Sequence, residues 1–341
     1  MKIIGIFFST LLLISCNVAK NENENIITPD INFYTSYFTG NKSDLKTFGK
    51  GGVCLMGGGL ENDNAMRWFL NQANGGDVLV LRTSGSNGYN NYMFKELGVS
   101  INSVETIVIK NIEASYDQYL LDKISKAEAI WFAGGNQWTY INYWKDTPVD
   151  SLINEAITDR GLVIGGTSAG MAILGEKIFS AEFGSITSNQ ALNDPFHSKV
   201  SLDSMKYITI SNLHDIITDS HYSQRDRHGR HVSMMARLKI NGGSKGIGLD
   251  ERTSICISME GIAKVYGINS AFFIRTNNIP EVCVLGQSLT WNNNGKALSV
   301  YKVPGTINGL NSFNLNDWNS GLGGDWYNWF VNDGTLFKTL N

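Results

Sequence analysis

Between residues 53 and 164 the chain alternates two kinds of pattern. Short, largely apolar runs stand at 53–56, 78–81, 106–109, 129–132 and 162–164. Longer segments with apolar positions at helical spacing fill 62–74, 90–97, 116–126 and 149–160. An unbroken apolar run of this length fits a strand buried on both faces, as in a parallel sheet. The helical segments then serve as the crossovers that parallel pairing needs. The pattern predicts an α/β domain on a mostly parallel, doubly wound sheet, with ligands at the carboxyl ends of the strands.

After Gly246 the pattern changes. The stretches 253–258, 263–266, 271–275 and 282–285 read as short strands joined by turns, an antiparallel set closing one edge. The last segment, 291–341, carries Trp318, Trp326, Tyr327, Trp329 and Phe330 among glycine and asparagine. It is expected to be an aromatic-rich β extension packed on a main domain at 46–290.

The beginning of the chain has a different character. Lys2 is followed by an almost wholly apolar run from Ile3 to Ile14, then by Leu13-Ile14-Ser15-Cys16. An apolar segment this short, behind one lysine, reads as an export signal and not as a membrane span. Its ending resembles a bacterial lipobox, so residues 1–16 are expected to be a signal peptide with Cys16 as the lipidated residue. Residues 17–45, opening on a polar run, are expected to form a flexible tether and lead-in. The expected location is the cell envelope, outside the cytoplasm, held to a membrane by lipid on Cys16.

Charge narrows the partners. Lys+Arg 28 against Asp+Glu 31 gives a net charge of -3, which supplies no basic field and argues against nucleic acid. Beyond Cys16 there are Cys54, Cys256 and Cys283, too few and too unpatterned for a disulfide framework. Cys54 and Cys256 sit in apolar strand-like runs, where buried free thiols are expected.

Candidate chemistry begins at the strand ends. Gly57-Gly58-Gly59, Thr83 to Gly88, and Ala133-Gly134-Gly135-Asn136-Gln137 are glycine-rich turns at three of them. None has the spacing of a phosphate cradle, so close approach of backbone to a substrate or to a neighbouring turn is the better reading. The run Leu162-Val163-Ile164 enters Gly165-Gly166-Thr167-Ser168-Ala169-Gly170, followed by helix-forming residues. This is the layout of a nucleophile elbow, in which glycines flank a serine lifted onto a sharp strand-to-helix turn.

A serine nucleophile needs a base and a carboxylate to orient it. His221 ends an apolar strand-like run that begins at Ile216, ahead of a helical segment at 223–239. His228 and His231 lie on that segment beside Arg225, Arg227 and Arg230, whose charge argues against a metal, and no cofactor is expected. Either Asp250 or Glu251, at the next strand end, has the position to orient the histidine. The order serine, histidine, acid differs from the serine, acid, histidine order of α/β-hydrolases and discounts that fold.

Four segments together resemble one family. Residues 130–137 (Ile-Trp-Phe-Ala-Gly-Gly-Asn-Gln), 165–170, 219–230 (Asp-Ser-His-Tyr-Ser-Gln-Arg-Asp-Arg-His-Gly-Arg) and 246–251 are similar to the signature blocks of cyanophycinase-like serine peptidases. These belong to peptidase family S51, with the aspartyl dipeptidases, on a class I glutamine-amidotransferase-like fold. The resemblance implies Ser168 as nucleophile, His221 as base and Glu251 as the acid. It implies an oxyanion hole from the amide of Ala169 and one from the Gly134-Gly135 turn, with Gly135 as the expected donor. Gln137, Asp219, Arg225, Arg227 and Arg230 fall where the family holds a β-linked Asp-Arg dipeptide. A peptide substrate of the cyanophycin kind and a homodimer are implied with them. Cyanophycinases carry Asp-Gln-His where this chain has Asp219-Ser220-His221, a departure that bears on the substrate and not on the chemistry. The alternatives are another amide or ester hydrolase on the same fold, or a peptide-binding lipoprotein without turnover.

Overall fold

The computed structural model describes residues 32–203, 208–243 and 245–341. The expected signal segment and Cys16 lie outside the described residues.

The first half follows the alternation closely. β1 (Tyr34–Gly40), β2 (Val53–Met56), α1 (Asp63–Gln72), β3 (Asp77–Arg82), α2 (Gly88–Asn91, continuing as a π-turn over Tyr92–Glu96) and β4 (Ser103–Ile109) come first. Then follow α3 (Gln118–Lys126), β5 (Ala129–Phe132), α4 (Gln137–Trp144), α5 (Pro148–Asp159) and β6 (Val163–Thr167). Helix starts are fixed locally. Asn62, Asp117, Asn136 and Thr147 each accept a backbone N–H of the first turn, and Pro148 opens α5 with a preset φ.

β4, β3, β5, β6 and β2 lie side by side in parallel. Their side chains alternate between two cores. Leu55, Leu81, Ile130 and Phe132 join residues of α3, α4 and α5 on one face. Met56, Val80 and Trp131 join Met66, Phe69 and Leu70 of α1 on the other. Phe69 meets Trp131 edge to face at 5.2 Å, and burying a side chain of this size contributes about 1.5–3 kcal/mol. The sheet is therefore wound on both faces.

The second half continues with α6 (Ala169–Ala172), β7 (Ile178–Phe179), α7 (Ser188–Asn193), β8 (Leu202–Asp203), β9 (Ile216–Asp219), α8 (His228–Ile240) and β10 (Lys245–Leu249). It ends with β11 (Thr253–Ile257), β12 (Ile262–Gly267), β13 (Ser270–Thr276), β14 (Leu298–Pro304), β15 (Asn311–Asn314), β16 (Gly321–Leu322), β17 (Asp325–Asn332) and β18 (Thr335–Leu340). The first sheet has ten strands in the order β1-β4-β3-β5-β6-β2-β11-β12-β15-β16. The second has six, in the order β18-β17-β14-β13-β10-β9, with β9 and β10 parallel and the rest antiparallel. Phe273 of the second sheet stacks on Phe313 of the first at 4.3 Å.

The core of the first sheet, β4-β3-β5-β6-β2, is parallel as expected, with antiparallel strands on both sides of it, and β9 and β10 add a parallel pair in the second sheet. Other expectations need correction. The late strands do not close a single edge: β11 and β12 extend the first sheet, while β13 belongs to the second. Gly267, at φ +115, makes the crossing, because a Cβ there would overlap the Arg252 carbonyl oxygen. Residues 282–285 form no strand, only a bridge from Val282 to Thr290; Val284 and Leu285 are exposed and have no face to bury. Finally, 34–40 is not tether but β1, paired antiparallel to β4, and β14 pairs with β13 across the boundary expected at 291.

Cys54 and Cys256 face each other across β2 and β11 as buried free thiols, with sulfurs 3.9 Å apart.

Candidate active site

The elbow around Ser168 is built by the flanking strands, by backbone hydrogen bonds and by two glycines. β6 lies between β5 and β2, so its end is walled on both sides. Ser168 takes φ 54 and ψ -114, a backbone state that costs about 1–3 kcal/mol and persists only where its surroundings enforce it. Its N–H is held by the Met56 carbonyl at 3.0 Å, and its own carbonyl takes the Ala172 N–H at 3.0 Å. A Cβ on Gly166 would lie 2.6 Å from the Gly170 carbonyl carbon, and one on Gly170 would overlap the Phe132 carbonyl oxygen. Only glycine fits at either position.

His221 arrives from β9 on a second strained turn. Its φ is +47, and its N–H is fixed by the Gly57 carbonyl at 2.8 Å. The imidazole lies so close to Gly58 that a Cβ there would overlap the ring. The Gly57-Gly58-Gly59 turn is therefore the seat of this histidine. Nε2 stands 2.7 Å from Ser168 Oγ, and Nδ1 stands 2.6 Å from Glu251 Oε1. Burial lowers the imidazole below its ordinary range; the Glu251 hydrogen bond opposes this, and the charges of Arg225 and Arg227 add to it. The histidine is thus neutral at pH 7.

Glu251 and Asp250 follow β10 into a turn, and their side chains diverge. Glu251 reaches the histidine, and its N–H is held by Gln224 Oε1 at 2.8 Å. Asp250 is buried and accepts the N–H groups of Ser223 at 2.8 Å and Ser270 at 3.2 Å. Of the two carboxylates, Glu251 is the one within hydrogen-bond distance of His221.

The remaining expected residues divide. Ala169 opens α6 directly after the serine. In the Gly134-Gly135 turn it is Gly134 that approaches the serine, with its Cβ position 3.7 Å from Ser168 Cβ; that of Gly135 faces Tyr140 Oη at 3.3 Å. The Tyr140 hydroxyl pins this turn by donating to the Ala133 carbonyl at 2.8 Å. Gln137 is half-buried and donates to the Phe179 carbonyl. Arg225 is exposed, and Arg227 is half-buried with its guanidinium on the Ser220 carbonyl at 3.0 Å and hydroxyl at 3.3 Å.

Asp219 and Arg230, expected to hold substrate, hold each other in this structure. Arg230 Nε and Nη2 donate to the two Asp219 oxygens at 2.8 and 2.6 Å, and both residues are buried. Burial alone would raise the Asp219 carboxyl, but Arg230 and Arg227 outweigh it and hold it below the usual range. The pair ties the end of β9 to α8 and so positions His221. The helical segment expected from 223 begins only at His228, because left-handed backbone at His221 and Asp226 makes 221–227 a turn.

His231 also has a structural place. Nε2 donates to the Ile217 carbonyl at 3.2 Å, so Nδ1 accepts the Tyr222 hydroxyl at 3.0 Å. Burial pushes His231 down to about 4 and His228 to about 3. Sequence reading missed Gln224 and Tyr140, which touch the site only through backbone groups and carry no motif of their own.

An α/β fold in which a serine after β6 of the first sheet is hydrogen-bonded in one line to a histidine and a glutamate after β9 and β10 of the second defines a class of hydrolase-like sites. The model of peptidase family S51 matches residues 87–265, just over half of the chain and all three of these residues. The chain belongs to peptidase family S51. It is 25% identical over 182 residues to the cyanophycinase of Trichormus variabilis, covering 53% of this chain and 56% of that protein. It is 25% identical over 187 residues to the cyanophycinase of Synechococcus elongatus, covering 55% and 53%. The chain thus spans about half the length of these curated relatives. The crystal structure of a peptidase from an acI-B1 Actinobacterium shares the fold, with TM-score 0.52 at 13% identity over 78% of this chain and 98% of that one.

Proposed function

We propose that this S51 peptidase is a serine-type exopeptidase of the cyanophycinase kind, working through an acyl-enzyme at Ser168. The observation that carries the reading is the line Ser168 Oγ, His221 Nε2, His221 Nδ1, Glu251 Oε1, at 2.7 and 2.6 Å. With Glu251 ionised, Nδ1 holds the proton and Nε2 is left to accept from the serine hydroxyl. Ser168 Oγ then attacks the peptide carbonyl carbon while its proton passes to Nε2. The imidazolium is stabilised by Glu251 and returns the proton to the leaving amine. Water repeats the sequence to free the acid. The Ala169 amide and the 134–135 turn supply donors where negative charge develops on the carbonyl oxygen.

Arg225 and Arg227 support a substrate with a carboxylate near the scissile bond, because a guanidinium fork matches a carboxylate. The relatives named as cyanophycinases support an Asp-containing peptide, including the β-linked Asp-Arg unit. Ser220, in place of the glutamine of that family, is spent on Arg227, which leaves the adjoining wall shorter. Release of dipeptides from cyanophycin and from a β-aspartyl peptide library tests this. Cleavage of acidic β-linked peptides supports it, and cleavage confined to neutral α-peptides contradicts it.

The apolar leader and Leu-Ile-Ser-Cys16 support a lipid-anchored protein outside the cytoplasm. A Cys16→Ser chain that is processed yet remains in the membrane fraction contradicts this part.

A further inference from the structure

A cavity of about 160 Å³ opens beside the turn that follows His221. Ser223 and His228 form one wall, Phe272 of β13 and Trp329 of β17 another, and Lys302 of β14 and Lys338 of β18 reach over it. The two rings have centroids 6.0 Å apart. The Lys302 ammonium stands 5.7 Å from the Phe272 ring and that of Lys338 4.8 Å from the Trp329 ring. Two cations therefore converge on one small space.

Nothing on the walls balances them. Among the described residues neither lysine has a carboxylate within ion-pair distance. Asp226 and Asp250 act on Lys338 only from further away, and Asp250 is committed to the N–H groups of Ser223 and Ser270. His228 carries no charge at neutral pH, since burial and the two lysines hold it down to about 3. The space is smaller than the ~300–1,000 Å³ of sites that bury a drug-sized ligand, and it suits a carboxylate with a few carbons. Lys302 and Lys338 lie beyond residue 265, outside the segment matched by the family model.

We propose that this cavity binds the carboxylate of a small acidic ligand. Ammonium groups supply the charge, the Ser223 hydroxyl adds a donor, and the aromatic walls cover the apolar part of the ligand. The carboxylate has two sources, an acidic group of the peptide held at Ser168 or a free small acid. The first is favoured by connectivity: Ser223 is two residues from His221, and its N–H is held by the neighbour of Glu251. Only this choice of source rests on the peptidase reading.

Binding is tested without turnover, by calorimetry of succinate and of uncharged succinamide with the full Ser168→Ala chain. Succinate is expected to bind, and succinamide not. Lys302→Met/Lys338→Met is expected to weaken succinate by at least about tenfold, the scale of lost charged hydrogen bonds. Lys338→Arg, which keeps the charge, is expected to stay near the parent, and near-UV circular dichroism checks that each variant is folded. In the active chain, succinate competing with acidic peptides assigns the site to the substrate, and binding that leaves KM unchanged assigns it to a free acid; both support the cavity. Equal succinate binding by the parent and the folded double variant, or none by the parent, overturns the proposal.

Discussion

Asp250 and Glu251 are adjacent, yet their carboxylates serve opposite sides of the chain. Glu251 Oε1 lies 2.6 Å from His221 Nδ1, while Asp250 accepts the backbone N–H groups of Ser223 and Ser270. One carboxylate meets the imidazole, and the other holds the turn on which that imidazole sits. Glu251→Gln is expected to keep the fold and lower kcat by ~10³–10⁴, the scale seen when the orienting acid of a triad loses its charge. Asp250→Asn is expected to cost about 1–3 kcal/mol of stability through its buried backbone partners and to leave kcat within about tenfold. Paired kcat and Tm measurements separate the two, and the reverse outcome contradicts the assignment.

Gly58 offers a test of how the histidine is held. It sits at φ +101 with its Cβ position inside the space of the His221 ring. Gly58→Ala must push the imidazole away from Ser168, and a misplacement near 1 Å costs ~10² in rate. The loss is expected in kcat, with KM little changed. Wild-type kcat in this variant contradicts the described seating.

The charge environment of His221 predicts the acid limb of the pH profile. The imidazole must be neutral to accept the serine proton, so activity falls as pH drops through its pKa. Burial together with Arg225 and Arg227 lowers that pKa against the pull of Glu251. The midpoint of kcat/KM is therefore expected below the unperturbed value of about 6.5. Arg225→Met removes one repelling charge and is expected to move the midpoint upward. A limb above 6.5 in the parent, or a downward shift in the variant, contradicts the description.

Stability has its own pH dependence. His228 and His231 are held down to about 3 and about 4 in the folded chain, below their unfolded value. As pH falls below about 6.5 the unfolded chain takes up protons that the folded chain refuses. The stability they contribute is complete above that pH and is lost towards pH 4, at up to about 1.4 kcal/mol per pH unit for each group. Urea unfolding at pH 7 and pH 5 measures the loss, and His228→Phe is expected to reduce the slope by about one proton. An unchanged slope means that His228 is charged or exposed in the folded state.

How much of this was legible in the sequence varies by residue. The strands 53–56 and 129–132 were read to the residue, because burial on both faces leaves an unbroken apolar run. The elbow was legible because two glycines in register with a serine are a steric requirement. β1 was not: Tyr-Thr-Ser-Tyr-Phe-Thr-Gly is a half-buried edge strand whose three aromatics are interrupted by three hydroxyl residues, with neither an unbroken apolar run nor a clean alternation. The mutual capture of Asp219 and Arg230 was hidden because spacing along a chain does not say which partner a side chain turns to. Gly58 against His221 joins positions far apart in sequence, and no local pattern reports such a contact. The division of 253–276 between two sheets depends on the crossing at Gly267, which reads as one more turn.

The central claim is that Ser168 is the nucleophile, and covalent labelling tests it most directly. The full chain is treated with a serine-directed phosphonate diester and digested, and the modified peptide is identified by mass spectrometry. One adduct is expected, on Ser168; it is absent from Ser168→Ala and strongly slowed in His221→Ala. Labelling of a different serine, or undiminished peptide hydrolysis by folded Ser168→Ala, contradicts the account.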